Sequence, residues 1–252
     1  MARKKLKWSD MRPSEKRDHV IYLIGQILKW LFVGSMCIFT LYPVVYTLLG
    51  SFKTNAELTL GGNFLPENWQ FNNYVYAFQK LDFGKYFLNS VVLALLTVVF
   101  TLITSSMAAY VISRRDFVGK KLISTAYLLS MFISVGSVAL YPLYTLMSRL
   151  GLTKNMVGLA LMLTGGQAAN IFMISGFING VPKDLDEAAT IDGAGPFRIF
   201  WQIIVPAIKP ILGVIALFAF RQAWNEFVTA QVFTMANPGL KTLSVAVANL
   251  RY

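Results

Sequence analysis

Three polar residues, Arg221, Asn225 and Glu226, interrupt an apolar run between Ile211 and Phe233. A charge at the centre of a membrane helix costs roughly 2.5–3.5 kcal/mol on insertion scales, so such residues usually face a bundle interior or an aqueous path. Arg221 and Asn225 stand four apart and share a helical face, whereas Glu226 points roughly 140° away from Arg221 at about 3.6 residues per turn. An ion pair within the helix is therefore not the natural account. Either carbonyls of a neighbouring helix cap the guanidinium, or Arg221 and Asn225 line a path through the membrane. The second polar stretch, VPKDLDEAATIDGAGPFRIFWQIIVPAIKP from Val181 to Pro210, has the order of a docking element. Acids come first, then Gly193, then an apolar helical stripe, then Pro206 and Pro210.

Other chemistry is not encoded. No G-x-x-x-x-G-K-[ST] phosphate loop occurs, so the chain is not expected to bind ATP itself. Neither H-E-x-x-H nor G-x-S-x-G is present, and no Cys/His arrangement suggests a nucleophile. His19 is the single histidine and has no Cys or carboxylate cluster at ligand spacing, so no metal site is expected. The lone Cys37 has no partner for an intramolecular disulfide. No catalytic residue is assigned, and the chain is not read as an enzyme.

These residues need an apolar scaffold, and the composition supplies it. The 252 residues are 56% hydrophobic and only 14% charged, against about 25% charged in soluble domains. The net charge of +11 sits beside apolar spans, which marks membrane topology rather than nucleic-acid binding. Arg3, Lys4, Lys5, Lys7, Arg12, Lys16 and Arg17 precede a run longer than the roughly 7–15 residues of a signal-peptide core, so a retained first span is expected. Five segments reach the roughly 20 apolar residues that cross a bilayer: 27–49, 88–112, 122–147, 156–178 and 211–233. The expected fold is all-α: a polytopic transmembrane helical bundle over 27–252, preceded by a cytoplasmic segment 1–26. Orientation follows from Lys and Arg near the span ends. Those in 1–26, with Arg114, Arg115, Lys120, Lys121, Lys183, Arg198 and Lys209, outnumber those on the opposite side. This puts the N-terminus and residues 181–210 in the cytoplasm. The external loop from Gly50 to Phe87 carries turn signals at Gly61-Gly62 and Pro66-Glu67-Asn68, and can form a short ordered cap.

Within 181–210, Pro182 suits the first turn of a helix, where its missing N–H costs nothing. Asp184, Asp186 and Glu187 sit near the positive end of the helix dipole, and Gly193 can take the positive φ that stops the helix. Pro196 restarts a second helix with Phe197, Phe200, Trp201 and Ile204 on one apolar face, which Pro206 and Pro210 end. Such a face can lie on headgroups or in a partner's groove. Acids at one end suit a protein partner better than an anionic membrane.

Glu187-Ala188-Ala189, three residues, Gly193, nine residues and Ile203-x-Val205-Pro206 resemble the EAA loop of ABC-importer permeases, with Val205 where Leu is usual. Val181-Pro182-Lys183-Asp184, Asp192-Gly193-Ala194, Ser51-Phe52-Lys53-Thr54, Asn73-Tyr74, Asn89-Ser90 and Trp224-Asn225-Glu226-Phe227 extend the likeness over most of the chain. They make it similar to carbohydrate-importer permeases, specifically the second permease of the maltose type. That resemblance implies a cytoplasmic helix-turn-helix coupling loop over 181–210. Glu187, Ala188, Ala189, Asp192, Gly193, Phe197, Ile203 and Pro206 would meet a cytoplasmic ABC ATPase dimer. It further implies a second permease subunit forming a heterodimer, an extracellular solute-binding protein, a bacterial cell-membrane location and no nucleic-acid partner. ATP and Mg would sit on the ATPase, with no cofactor on this chain. The cargo would be a carbohydrate, an oligosaccharide in particular, with Arg221, Asn225 and Glu226 along its path. Asn225 and Glu226 match the family pattern and Arg221 departs from it. The resemblance also implies a sixth span after Thr242-Leu243-Ser244-Val245, which the 252 residues do not contain. The alternative class is a membrane-embedded secondary transporter or enzyme with a docking loop. The former would show inverted repeats and the latter convergent His or Asp residues, and the sequence displays neither.

Overall fold

The computed structural model describes residues 12–61, 63–133 and 136–251. The basic residues before Arg12 lie outside the described residues. No strand occurs among those described. The chain divides into two compact units, Met1–Lys80 and Leu81–Tyr252.

In the first unit, α1 (Pro13–Gly50) starts well before the expected span at residue 27. Its window from His19 to Gly50 is long and apolar enough to cross a membrane. The residues after it form α2 (Asn55–Leu60) and α3 (Asn72–Lys80). A capping box opens α2: the Thr54 hydroxyl accepts the Glu57 N–H at 3.2 Å, and Glu57 Oε2 accepts the Thr54 N–H at 3.0 Å. The Thr54 amide chiefly holds the Glu57 carboxyl below its ordinary range. The buried Lys53 donates to the Asn63 carbonyl at 2.6 Å, and Asn73 Nδ2 bonds the carbonyls of Ser51 and Lys53, each at 3.0 Å. Phe52 packs between Trp69, Phe71 and Tyr74. Family-like residues Ser51, Lys53, Asn73 and Tyr74 thus bond one another across this stretch, while Gly62 of the expected Gly61-Gly62 turn lies outside the described residues.

The second unit is built on α4 (Phe83–Arg114), a single helix that contains the expected second span. At about 1.5 Å per residue it is about 48 Å long, more than the roughly 30 Å hydrocarbon core. Its buried face is a ladder of small residues: Ser90, Ala94, Thr97, Thr101, Ser105 and Ala109. Small side chains let backbones approach where lipid offers no hydrophobic drive between helices. Ser105 and Ser106 return their hydroxyls to carbonyls one turn back and enter the bundle satisfied, whereas the buried Thr97 hydroxyl has no partner.

The expected third span, 122–147, is not one helix. It is carried by α5 (Lys120–Ser130) and α6 (Leu140–Arg149). Pro142 explains the restart: without an N–H it is tolerated in a first turn, and α6 places it there. The fourth, 156–178, is α7 (Met156–Leu163) and α8 (Ala168–Asn179), bent by 67°. After the loop, with α9 (Asp184–Ile191), α10 (Pro196–Ile199) and α11 (Val205–Ala207), comes α12 (Lys209–Asn225). The expected fifth span, 211–233, continues into α13 (Val228–Thr234) only after a break at Glu226-Phe227. The last helix is α14 (Leu243–Ala248).

α4 packs chiefly against α12, α8 and α7. Towards its start, Leu93 and Ala94 join Leu159, Ala223, Phe233 and Val245 in one core. Towards its end, Ala109 and Tyr110 join a second, isoleucine-rich core. Asn89 Nδ2 donates to the carbonyls of Gly239 (3.0 Å) and Lys241 (2.9 Å), and Ser90 Oγ accepts the Leu243 N–H at 2.8 Å. Asn89-Ser90 thereby fastens α14.

Gly158, in the first turn of α7, lies so close to the Leu152 backbone that a Cβ would collide with its carbonyl. Backbone cannot step aside as a side chain end can. Gly158→Ala is expected to cost about 1–3 kcal/mol, as overpacking does. It should lower the thermal midpoint of the detergent-purified protein. Gly213→Ala, where the added methyl meets open space on α12, should leave that midpoint unchanged or raised.

Candidate functional site

Residues 181–208 form a helical hairpin beside the C-terminal end of α4. Its first arm, α9, begins at Asp184, so Pro182 precedes the helix rather than occupying its first turn. The Lys183 carbonyl accepts the N–H groups of Asp186 (2.9 Å) and Glu187 (3.1 Å), and the three acids Asp184, Asp186 and Glu187 stand at the positive helix end. Gly193 closes the helix with φ +78°, the left-handed region. Its N–H bonds the Thr190 carbonyl at 3.0 Å, and that of Ala194 bonds the Ala189 carbonyl at 2.9 Å. This is a Schellman closure, in which a residue without Cβ takes the turn at no steric cost.

The second arm opens at Pro196, in the first turn of α10 after an extended Gly195. Pro206 then distorts it. A proline ring clashes with the carbonyl four residues back and offers that carbonyl no N–H. The chain responds with a π-turn over Phe200–Ile204, in which Val205 N–H reaches five residues back to Phe200. Pro210 sits in the first turn of α12, so it opens the next helix rather than ending this one, after a bend of 83°.

The widened turn also corrects the expected apolar face. Phe197, Phe200, Trp201 and Ile204 do not share one surface. Phe200 and Ile204 are buried with Ile199 and Ile208 against Tyr110 of α4, Ile174 and Ile178 of α8 and Ile215 of α12. Phe197 and Trp201 are exposed and pack edge to face, with ring centroids 6.1 Å apart. One side of the hairpin thus belongs to the chain's own core.

The other side faces outward. Glu187, Ala188, Asp192, Gly193, Phe197 and Pro206 are exposed, while Ala189 and Ile203 are half-buried. Two apolar residues without a sequence assignment join this surface: Leu185 and, at 87% exposure, Ile191. An apolar pair six apart on an acidic helix was the available signal. Arg114 is the other residue that sequence reasoning used only for topology. Its side chain is 3% exposed; Nε lies 3.1 Å from Asp186 Oδ2, and Nη2 donates to the Val181 carbonyl at 2.6 Å. Arg114, Arg115, Lys183, Asp186, Glu187 and Thr190 line a cleft of about 330 Å³ beside α9. Asp116 is taken by Lys120 at 2.9 Å, and this bond chiefly keeps its carboxyl below the ordinary range.

Arg221, Asn225 and Glu226 lie where α12 ends, not within an unbroken helix. Asn225 Nδ2 donates to the Arg221 carbonyl at 2.8 Å. Glu226 has extended backbone, and its Oε1 accepts the Thr229 N–H at 2.8 Å, satisfying a free amide at the start of α13. Arg221 and Asn225 are both exposed, and among the described residues no ion pair joins Arg221 to Glu226. Gln222 Nε2 reaches the Leu163 carbonyl at 3.4 Å, where α7 ends.

Residues 101–251 match the family described as the inner membrane component of binding-protein-dependent transport systems. Relatives include a diacetylchitobiose uptake permease, NgcG, of Streptomyces coelicolor, 33% identical over 75% of this chain. The galactooligosaccharide permease GanQ of Bacillus subtilis is 32% identical over 90%, and the trehalose permease SugB of Mycobacterium tuberculosis 33% over 88%. The chain spans 63% of the length of the first, 81% of the second and 79% of the third. A crystal structure of a bacterial ABC transporter involved in import of the acidic polysaccharide alginate superposes with a TM-score of 0.73. It is 26% identical, covering 88% of this chain and 78% of that one. The chain belongs to the family of inner-membrane permease subunits of binding-protein-dependent ABC importers.

Proposed function

We propose that this chain carries an oligosaccharide across the bacterial cell membrane as one of two permease subunits. A second permease completes the path, an extracellular solute-binding protein delivers the sugar, and a cytoplasmic ABC ATPase dimer supplies the energy. ATP and Mg reside on that ATPase, and this chain holds no cofactor and does no bond chemistry. Its N-terminus lies in the cytoplasm, as does the hairpin.

One observation carries this reading: α9 turns Leu185, Glu187, Ala188 and Ile191 outward while the second arm is buried among α4, α8 and α12. Such a helix offers apolar anchors and acids to a groove on a basic partner and is fixed to the membrane helices behind. Glu187, Ala188, Ala189, Asp192, Gly193, Phe197, Ile203 and Pro206 form the coupling surface in this reading. The carbohydrate assignment is supported by relatives named for diacetylchitobiose, galactooligosaccharides and trehalose. A thermal-shift screen of the cognate binding protein against an oligosaccharide panel identifies the cargo.

Arg221, Asn225 and Glu226 form the candidate cargo path. Arg221 lies twelve residues into α12, about 18 Å at about 1.5 Å per residue, which approximates half of a bilayer. Its exposed guanidinium favours a second reading in which the cargo includes a sugar acid, and the alginate importer shows that relatives of this fold handle one.

Glu187→Lys is expected to release the ATPase or cut uptake at least tenfold with the permease still inserted in the membrane. Unchanged uptake and unchanged co-purification would sink the coupling role. Gly193→Val puts a β-branched residue at φ +78° and should strain the turn by about 1–2 kcal/mol, read as faster amide exchange at Asp192–Ala194 and weaker ATPase retention. Arg221→Gln removes a charge-assisted bond of about 1.5–3 kcal/mol, so uptake of a uronic-acid oligosaccharide should fall roughly tenfold or more. Uptake of neutral oligosaccharides should not change, and an equal loss for both would refute the sugar-acid reading.

A further inference from the structure

We infer that the Arg114–Asp186 ion pair is the joint through which movement of α9 is passed to α4. The inference rests on the coupling reading above. Arg114 and Asp186 are positioning residues: neither is placed against the cargo or on the outward surface.

The two arms of the hairpin are fixed by different physics. The second arm buries Ile199, Phe200, Ile204 and Ile208 and is held by packing. α9 has no buried residue at all, and only Ala189 among its members packs against that core. Apolar burial therefore cannot hold its first turn. Arg114 does so instead. It is the last residue of α4, and its guanidinium reaches Asp186 on α9 at 3.1 Å and the Val181 carbonyl in the segment leaving α8 at 2.6 Å. One side chain thus ties the end of α4 to both sides of the α9 entry. Among the described residues, Asp186 is the acid that pairs with this guanidinium. Asp116, the nearest acid in sequence, is occupied by Lys120, and Asp184 and Glu187 point into solvent.

The pair is also built to turn. Arg114 Nε and Asp186 Oδ1 are buried without hydrogen bonds, so a single-point charge contact stands where a two-pronged fork is possible. Attraction between charges falls slowly with distance and tolerates misalignment, whereas an aligned fork does not. α9 can therefore pivot against α4 without letting go. Removing Asp186 would strand the buried Arg114 guanidinium. Beyond the joint, α4 is one unbroken helix whose far end holds α14 through Asn89 and Ser90. A pull at Arg114 is delivered about 36–38 Å away, at about 1.5 Å per residue.

The test uses the full complex with its ATPase, second permease and binding protein, in a Cys37→Ser background carrying Leu88→Cys. Leu88 is exposed at the far end of α4. The rate of labelling by a membrane-impermeant maleimide is compared without nucleotide and after trapping with ATP and vanadate, and needs no identified sugar. The parent is expected to change its rate at least fivefold on trapping. Arg114→Gln and the shape-preserving Asp186→Asn should change less than twofold while retaining the ATPase. Arg114→Lys, and the exchange of Arg114→Asp with Asp186→Arg, should recover at least half of the parent response. A full response in Arg114→Gln with ATPase bound overturns the joint, as does a parent with bound ATPase and no response. Variants that lose the ATPase in proportion to their response make the pair a folding element only, which also overturns it. Failure of the parent to retain the ATPase would instead refute the coupling reading itself.

Discussion

Close approach of helices to the small-residue face of α4 is the constraint on which the second unit depends. Ser90, Ala94, Thr97, Thr101, Ser105 and Ala109 present little side-chain volume, so α12, α8 and α7 can lie against the backbone along most of its length. In lipid there is little hydrophobic gain from pairing apolar helices, and dispersion between closely packed backbones replaces it. On this face Ser105 bonds within its own helix, Ser90 and Thr101 accept from Leu243 and Gln167, and the Thr97 hydroxyl is buried without a partner. Within the second unit, each end of this one helix holds a neighbouring segment. Asn89 and Ser90 hold residues 239–243, and Arg114 holds residues 181–186.

Around that axis the bundle uses interrupted helices, and three irregularities trace to single residues. Pro142 confines itself to a first turn, and Pro206 forces the π-turn that re-registers the loop. Glu226 breaks α12 from α13 and satisfies an amide on the far side with its own carboxylate. Backbone breaks at membrane depth are tolerated where they are buried in protein or line a water-filled cavity. The exposed Arg221 and Asn225 beside the Glu226 break therefore stand where a helix bundle can admit polar surface.

The π-turn has a consequence for how the hairpin divides its labour. By adding one residue to a turn it directs Phe200 and Ile204 inward and leaves Phe197 and Trp201 outside. The second arm becomes an extension of the isoleucine core, and α9 becomes the projecting part. The second arm is held by packing, whereas α9 is held by one ion pair and a Schellman turn.

The sequence alone determined the class, the family and the outline of the hairpin, because these rest on local information. Apolar length marks membrane helices, the 3–9 spacing around Gly193 marks the loop, and Gly193 itself has the left-handed backbone its position demanded. Helix breaks were only half legible: Pro142 and Pro206 were visible, but hydropathy cannot say whether a proline kinks a span or divides it. The tertiary structure alone decided which face of the second arm is buried, because the π-turn shifts the periodicity on which any facing argument relies. It alone brought Ile191 and Leu185 to the outward surface and joined Arg114 to Asp186. That last pairing links residues far apart in the chain, and no local pattern records it. Only the packing of α4 beside α8 and the hairpin brings the two charges within reach.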